Sequence, residues 1–480
     1  MSISKSEVNR FKGGYFIYQN EHSETDYYQQ DDIKITLKKI ATIKESIISL
    51  IRQSTTSIKL CSFILSDPEI YSELNEVLGK REVAVFILTQ LDDKKMSTSF
   101  LSEEEISENF NQNHIDYISK LYTNGAHLRA AKSAHAKFII SDNEVALLMS
   151  ANITTPSLNE NPESGVILAN KQSLDSLVKL FDVIFQYGTE YTKFKAAAKD
   201  KQFVVSRDSV LKPEWLEGIS DSNLKFTWGE INQSLYNELI ELIKNSNING
   251  RILISTYSVV GLENIPELVQ TIKAYIEQGG SVILFCRGMN YRADHLKNCT
   301  VLSEIGVDIY GDLFNHSKGL INDDSGFIFT ANIDGNHGLI NGFEVGCLLE
   351  PVQRQRLESF ILWQIDNAPY KFQLNPEKND FYNTYRFYAN SKGINPLEIP
   401  DDIMFNVFND KAVLEIENYP TYVLLNPSKQ VKYINVGSSF YSVNMDGNTI
   451  DLIDQTNRIY GMETYLLQST NITINNNKIV

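Results

Sequence analysis

Short apolar runs and longer amphipathic stretches take turns along this chain. The runs Ile58 to Leu65, Val83 to Leu88, Ile252 to Tyr257 and Val282 to Cys286 are rich in β-branched and aromatic residues and predict buried strands. Within each pair, a helical pattern opens on a proline: Pro68 to Leu78 and Pro266 to Ile276. Helical spacing also covers Ile40 to Arg52, Leu174 to Phe185, Leu235 to Lys244 and Arg354 to Ile365. Gly125 and Gly306 close the segments that follow the second strand of each pair, which predicts two turns. Strands alternating with helices imply α/β units on a largely parallel or mixed sheet. After Pro369 the pattern changes to short β-prone runs, Tyr422 to Leu425, Val431 to Val436 and Ser439 to Val443, spaced by Asn, Asp, Gly and Pro.

These elements form two copies of one unit. Ala134-His135-Ala136-Lys137 returns as Asn315-His316-Ser317-Lys318, 181 residues later, with the same order of elements before it. The expected organisation is an N-terminal extension (1–34), a first α/β lobe (35–200), a linker (201–229), a second α/β lobe (230–368) and a β-rich accessory domain (369–480). The polar residues around the repeat recur as well. The first copy carries His135, Lys137, Asp142, Ser150, Asn152 and Glu163; the second carries His316, Lys318, Asp323, Thr330, Asn332 and Glu344. His to Lys spans two residues, Lys to Asp five and His to Glu 28 in both copies, while the hydroxyl residue shifts from fifteen to fourteen.

A doubled HxKxxxxD followed by S/T-x-N resembles the phospholipase D superfamily, over roughly residues 35–368. Met149 stands where the first motif usually has Gly, and Phe329-Thr330-Ala331-Asn332 replaces GSxN in the second. The resemblance implies two phospholipase D-like lobes related as a pseudo-dimer, with a single site between them. Residue chemistry agrees. In an extended strand side chains two apart share a face, so His135 and Lys137 point one way, as do Ser150 and Asn152. Imidazole can attack phosphorus and be displaced later, while Lys and Asn donate to the non-bridging oxygens. Glu163 is expected to orient His135, and Glu344 to orient His316, in the manner of a triad carboxylate. The resemblance implies that His135 is the nucleophile and His316 the acid and base, acting through a phosphohistidine with no metal and no cofactor. Asp142 and Asp323 are expected to be structural, and the remaining histidines, His22, His114, His127, His295 and His337, surface or core residues.

Composition narrows the substrate. At roughly 150 residues per domain, 480 residues make two to four domains, and 42% apolar with 22% charged residues excludes disordered and fibrous chains. The apolar runs are about a quarter of a membrane span, and Lys5, Glu7, Arg10 and Lys12 interrupt any secretory signal, so integral membrane association is not expected. Cys61, Cys286, Cys299 and Cys347 form no CxxC pair and read as buried thiols in a reducing cytoplasm. A net charge of −16 excludes a protein that coats nucleic acid over its whole surface but permits a local basic funnel, for which Arg129, Lys132, Arg287 and Arg292 are the candidates. Ser102 to Glu105, near Asp92 to Lys95, is a solvated loop or a lid. The expected activity is a nuclease on DNA or RNA, by analogy in bacterial defence. A phospholipase or head-group transferase and an inactive binding protein are the alternatives. The accessory domain is expected to serve protein partners or an oligomer.

Overall fold

The computed structural model describes residues 9–19, 25–28, 31–80, 82–90, 110–131, 133–168, 170–197, 200–204, 208–290 and 292–391, and beyond these the strands of the C-terminal sheet. The first lobe holds an eight-stranded sheet in the order Ile40–Ala41, Lys34–Leu37, Glu163–Ile167, Val145–Met149, Phe138–Ser141, Ser57–Cys61, Ala84–Thr89, His127–Ala130. The second lobe repeats that order with Asn232–Gln233, Leu224–Trp228, Phe343–Leu348, Gly326–Phe329, Gly319–Ile321, Arg251–Ser255, Ser281–Arg287, Asp308–Asp312, then adds Tyr370–Leu374 and Gly14–Tyr18 at its edge. In each, three neighbouring strands run parallel, Ser57–Cys61 to His127–Ala130 and Arg251–Ser255 to Asp308–Asp312. The mixed α/β reading therefore holds in both copies.

Helix periodicity explains how the sheets are covered. Thr42–Gln53 buries Ile43, Ile47, Leu50 and Ile51, the stripe of a one-sided helix. Ser234–Lys244 buries Leu235, Leu239, Ile240 and Ile243 in the same way. Two helices that the sequence reading left unassigned, Phe110–Thr123 and Ala293–Glu304, end at Gly125 (φ +106°) and Gly306 (φ +102°), where a left-handed backbone favours glycine. One apolar core lies within each lobe, and a third is shared. Phe138, Leu148 and Phe181 of the first lobe join Phe343, Leu357 and Phe360 of the second. Burying such large side chains, at about 25 cal/mol per Å² of apolar surface, holds the lobes face to face.

The boundaries differ from expectation in three places. The expected N-terminal extension contributes Gly14–Tyr18, which pairs antiparallel with Tyr370–Leu374 and plants Phe11 and Phe16 in the core of the second lobe. The expected linker contains Leu224–Trp228, paired with Phe343–Leu348. The second lobe runs past residue 368 through Tyr370–Leu374 to the helix Lys378–Ser391. Beyond it, strands from Asn406–Phe408 to Lys478–Ile479 form an eight-stranded antiparallel meander. Lys132 and the acidic stretch read as a loop or lid lie outside the described residues.

Candidate active site

In each lobe three antiparallel strands bring the motif to one sheet edge. His135 and Lys137 precede Phe138–Ser141, Ser150 and Asn152 follow Val145–Met149, and Glu163 opens Glu163–Ile167. The start of one strand, the end of the next and the start of the third necessarily lie at the same edge. In the second lobe Lys318 precedes Gly319–Ile321, Thr330 follows Gly326–Phe329, and Glu344 lies at the start of Phe343–Leu348. The two edges meet. His135 N–H donates to Phe343 O (3.1 Å), Phe343 N–H to Ser133 O (2.7 Å), and His316 N–H to Pro162 O (2.9 Å).

The carboxylates cross between lobes. His135 Nδ1 lies 2.5 Å from Glu344 Oε1, and His316 Nδ1 lies 2.7 Å from Glu163 Oε1. This corrects the expected pairing of each histidine with the glutamate of its own lobe. Docking edge to edge sets each strand start opposite the other lobe's histidine, and the spacing within a repeat carries no information about that. Ser150 Oγ donates to Glu163 and Thr330 Oγ1 to Glu344, while Ser164 N–H and Val345 N–H donate back to those hydroxyls at 3.0 Å. Each hydroxyl therefore holds a carboxylate. Thr330 is the positional match of Ser150 despite the shortened spacing.

Two buried lysines complete the constellation. Lys137 Nζ lies 2.9 and 3.2 Å from the ring nitrogens of His135, and Lys318 Nζ donates to His316 O at 2.7 Å. Asn152 is buried and Asn332 half-buried. Phe63 and Tyr257 each set an aromatic ring across a histidine, Phe63 at 5.3 Å from His135 and Tyr257 at 5.2 Å from His316. The sequence reading missed both. Each stands two residues past the first strand of its repeat, so aligning Ser62-Phe63 with Thr256-Tyr257 would have exposed them.

The two halves differ electrostatically. Burial, then the charges of Lys318, Lys137 and Arg287, hold His316 well below the ordinary imidazole range. Burial lowers His135 too, but Glu344 opposes it. Burial raises Glu163 to about 8 against the pull of Lys318. Glu344 feels the same burial, yet His135 and Lys137 carry it below the ordinary carboxylate range. Lys318 falls to about 7, chiefly through burial. Glu344 is thus the ionised carboxylate of the pair.

The expected basic funnel is only partly assembled. Arg287 is buried, its guanidinium carbon 4.8 Å from the Tyr257 ring centre, and its charge reaches both His316 and Lys318. Arg292 pairs with Asp294 at 3.0 Å. Arg129 donates to Phe185 O and Gln186 O and stacks on Phe185, so it is spent on a helix end, a correction to its place in the funnel. The carboxylate of Asp142 accepts from the N–H and hydroxyl of Thr55 and Thr56 and from Ser57 N–H. In the second lobe Asn322 does the comparable work, bonding Leu242 O, Ser246 Oγ and the N–H groups of Asp324 and Ser325, while Asp323 is exposed. Beside His135 a cavity opens between Phe63, Gln90, Ser133, Asn332, Asp334 and Asn341. Among the described residues one Cys/His/Asp/Glu group could hold a metal, Cys286 with His295 and Cys299; it lies outside this constellation.

A family model described as cardiolipin synthase, PLD-like domain, matches residues 47–185. No curated protein sequence matches the chain. Among solved structures, the chain is similar to a phosphatidylserine synthase from Haemophilus influenzae at 15% identity and a TM-score of 0.50, over 81% of this chain and 97% of that one. A polyphosphate kinase from Porphyromonas gingivalis shares 15% identity with a TM-score of 0.44 over 73% of this chain, which spans about half (53%) of the kinase's length. Nuc, a phospholipase D family member from Salmonella typhimurium, shares 21% identity with a TM-score of 0.25 over 31% of this chain and 91% of that one. The first lobe thus carries a PLD-like domain, the second repeats its topology and motif, and together with the matched fold over most of the chain they support membership of the phospholipase D superfamily, whose members are phosphodiesterases and phosphotransferases.

Proposed function

We propose that the chain is a phosphodiesterase working through a phosphohistidine, with His135 as nucleophile and His316 as general acid and base. The observation that carries this is the reciprocal His–Glu pairing across the lobes beside two buried lysines. Glu344 holds the proton on Nδ1 of His135, which leaves the Nε2 lone pair to attack phosphorus, and it stabilises the imidazolium that develops. Lys137, Lys318, Asn152 and Asn332 donate to the non-bridging oxygens, and Arg287 adds positive charge behind His316. His316 protonates the leaving oxygen, then takes a proton from the water that attacks on the same side. Ser150, Thr330, Glu163 and Glu344 position these groups. Nothing in this scheme calls on a metal.

A nucleic-acid strand is the substrate we favour. The cavity beside His135 is walled mainly by Gln90, Ser133, Asn332, Asp334 and Asn341, with Phe63 the one large apolar side chain. Such a wall suits a hydroxylated or base-bearing leaving group better than an acyl chain. A role in defence and the use of the C-terminal sheet for protein partners extend this reading. The second reading, phospholipid head-group transfer, is favoured by the cardiolipin synthase description of the family model and the fold shared with a phosphatidylserine synthase.

Incubating wild type and His135→Ala with single-stranded DNA, duplex DNA, RNA and anionic phospholipid vesicles, all in EDTA, tests both readings. Strand cleavage by wild type alone supports the nuclease. Head-group release supports the lipid reading instead. Full activity of His135→Ala, or inhibition by EDTA that added metal reverses, overturns the mechanism.

A further inference from the structure

Three donor side chains cluster beneath the second half of the site. Cys286 ends the apolar part of Ser281–Arg287, and His295 and Cys299 lie one turn apart on Ala293–Glu304. All three are fully buried, and their sulfur and nitrogen atoms lie within 4.8 Å of one another. Cys286 Sγ is 3.8 Å from His295 Nε2, and Cys299 Sγ is 3.7 Å from both ring nitrogens.

The donor set suits a soft cation, but the histidine is already used at both nitrogens. Val259 N–H donates to Nδ1 at 3.0 Å, and Nε2 lies 2.9 Å from Arg287 O, so Nε2 carries the proton and Nδ1 has spent its lone pair. A Cys299 sulfur equidistant from both nitrogens is not on the lone-pair axis of either. The first lobe shows what this histidine is for. There His114 Nδ1 accepts from Leu65 N–H at 3.0 Å, and Thr89 and Ile118 stand at the positions of Cys286 and Cys299. The histidine pins a backbone turn in both lobes, while the two thiols are peculiar to the second.

We propose that Cys286 and Cys299 are a redox modification site, a dithiol that a hydroperoxide closes into a disulfide. The thiolate of Cys286 attacks one oxygen of the peroxide, forming a sulfenic acid and releasing water or an alcohol. Cys299 then attacks that sulfur, the S–S bond forms, and water leaves. Overall two thiols and one peroxide give one disulfide, one alcohol or water, and one water. The site is selective. Burial pushes Cys347 up to about 12 and raises Cys61 as well, whereas Cys286, despite its burial, is drawn below the ordinary thiol value, chiefly by its hydrogen bond with Cys299. Closure also has somewhere to act. An S–S bond is about 2.05 Å long, so the sulfurs must approach, and the strand carrying Cys286 ends on Arg287. That residue's carbonyl faces His295, and its guanidinium lies on Tyr257 beside His316. Oxidation is therefore expected to draw Arg287 from its place and lower turnover.

The test treats the full chain with hydrogen peroxide and maps linkages by non-reducing peptide mass spectrometry, alongside Cys286→Thr and Cys299→Ser. A Cys286–Cys299 linkage in wild type supports the site. So does a fall in phosphodiesterase activity of fivefold or more that dithiothreitol reverses and neither variant shows. The activity arm rests on the function proposed above; the linkage arm does not, and hydrogen exchange across Ser281–Arg287 reports the strand's response without any substrate. Oxidation confined to Cys61 or Cys347 overturns the site. So does one zinc ion per purified chain that either variant loses. A linkage that alters neither exchange nor activity overturns the coupling to Arg287.

Discussion

Replacing Glu344 by Gln and Glu163 by Gln should have unequal consequences. Both glutamates are buried, each accepts from a hydroxyl of its own lobe, and each meets the histidine of the other. Glu344 is ionised and faces the attacking imidazole, so Glu344→Gln removes a charge that grows more valuable as His135 becomes an imidazolium. A hydrogen bond to a charged group is worth about 1.5–3 kcal/mol, and a triad carboxylate-to-amide change costs up to about 10⁴ in kcat. Glu344→Gln should therefore lower kcat by about 10²–10⁴, with KM changed less than about threefold. Glu163, raised to about 8, is mostly protonated at pH 7. An uncharged amide there replaces a mostly uncharged carboxyl, so Glu163→Gln should cost about tenfold or less. Hydrolysis of bis(4-nitrophenyl) phosphate at pH 7 measures both, with the substrate found by the panel above as a check. Coupling completes the test. Glu344→Gln should add nothing on a His135→Asn background, and Glu163→Gln should add its full effect there. Equal losses for the two variants, or coupling of His135 to Glu163 in place of Glu344, would refute the cross-lobe reasoning.

Removing Arg287 by substitution with Gln, its counterpart at position 90, takes away one of the cations that depress His316. The imidazolium is then less disfavoured, its pKa rises, and the alkaline limb of kcat/KM should move to higher pH; an unmoved limb would separate Arg287 from the acid. Asp142 is held below its ordinary range: burial opposes ionisation, but five donors from Thr55, Thr56 and Ser57 outweigh it. The stability it contributes is present above the unfolded value near 3.9 and lost as pH falls through the folded one. Asp142→Ala should cost about 3 kcal/mol at pH 7, with a smaller difference from wild type below pH 3, measured by urea unfolding. Thr330→Val leaves Glu344 and Val345 N–H each short of a partner and should cost about 1–3 kcal/mol of stability and about tenfold in kcat, whereas Thr330→Ser should retain both.

Much of this arrangement was legible in the sequence because the chemistry uses residue types that seldom recur together. His, Lys, Asn and Glu at repeated offsets marked the site, and periodicity marked the helices beside it. The pairing of His135 with Glu344 was illegible, since offsets within a copy are silent about which surfaces two copies bring together. Arg129 and Arg287 looked alike as basic residues near a motif. Packing separates them, for one ends on helix carbonyls and the other on Tyr257 beside His316. Leu224–Trp228 was hidden among polar residues because a single short strand is marked only by its partner, Phe343–Leu348, more than a hundred positions later.

The strand Gly14–Tyr18 has a consequence for how the chain is made. Its register joins Gly14 to Leu374 and Tyr18 to Tyr370. At about 5–20 residues per second, a ribosome needs roughly 20–70 s to travel from one partner to the other. Throughout that interval the first lobe can close on its own contacts, while an early β-segment with Phe11, Tyr15 and Phe16 waits without its sheet. The second lobe cannot finish its edge until synthesis has passed residue 374, so maturation of the site is tied to late elongation. Ribosome-bound chains stopped before residue 370 should be cut by protease within residues 9–18, and chains stopped well past residue 391 should resist.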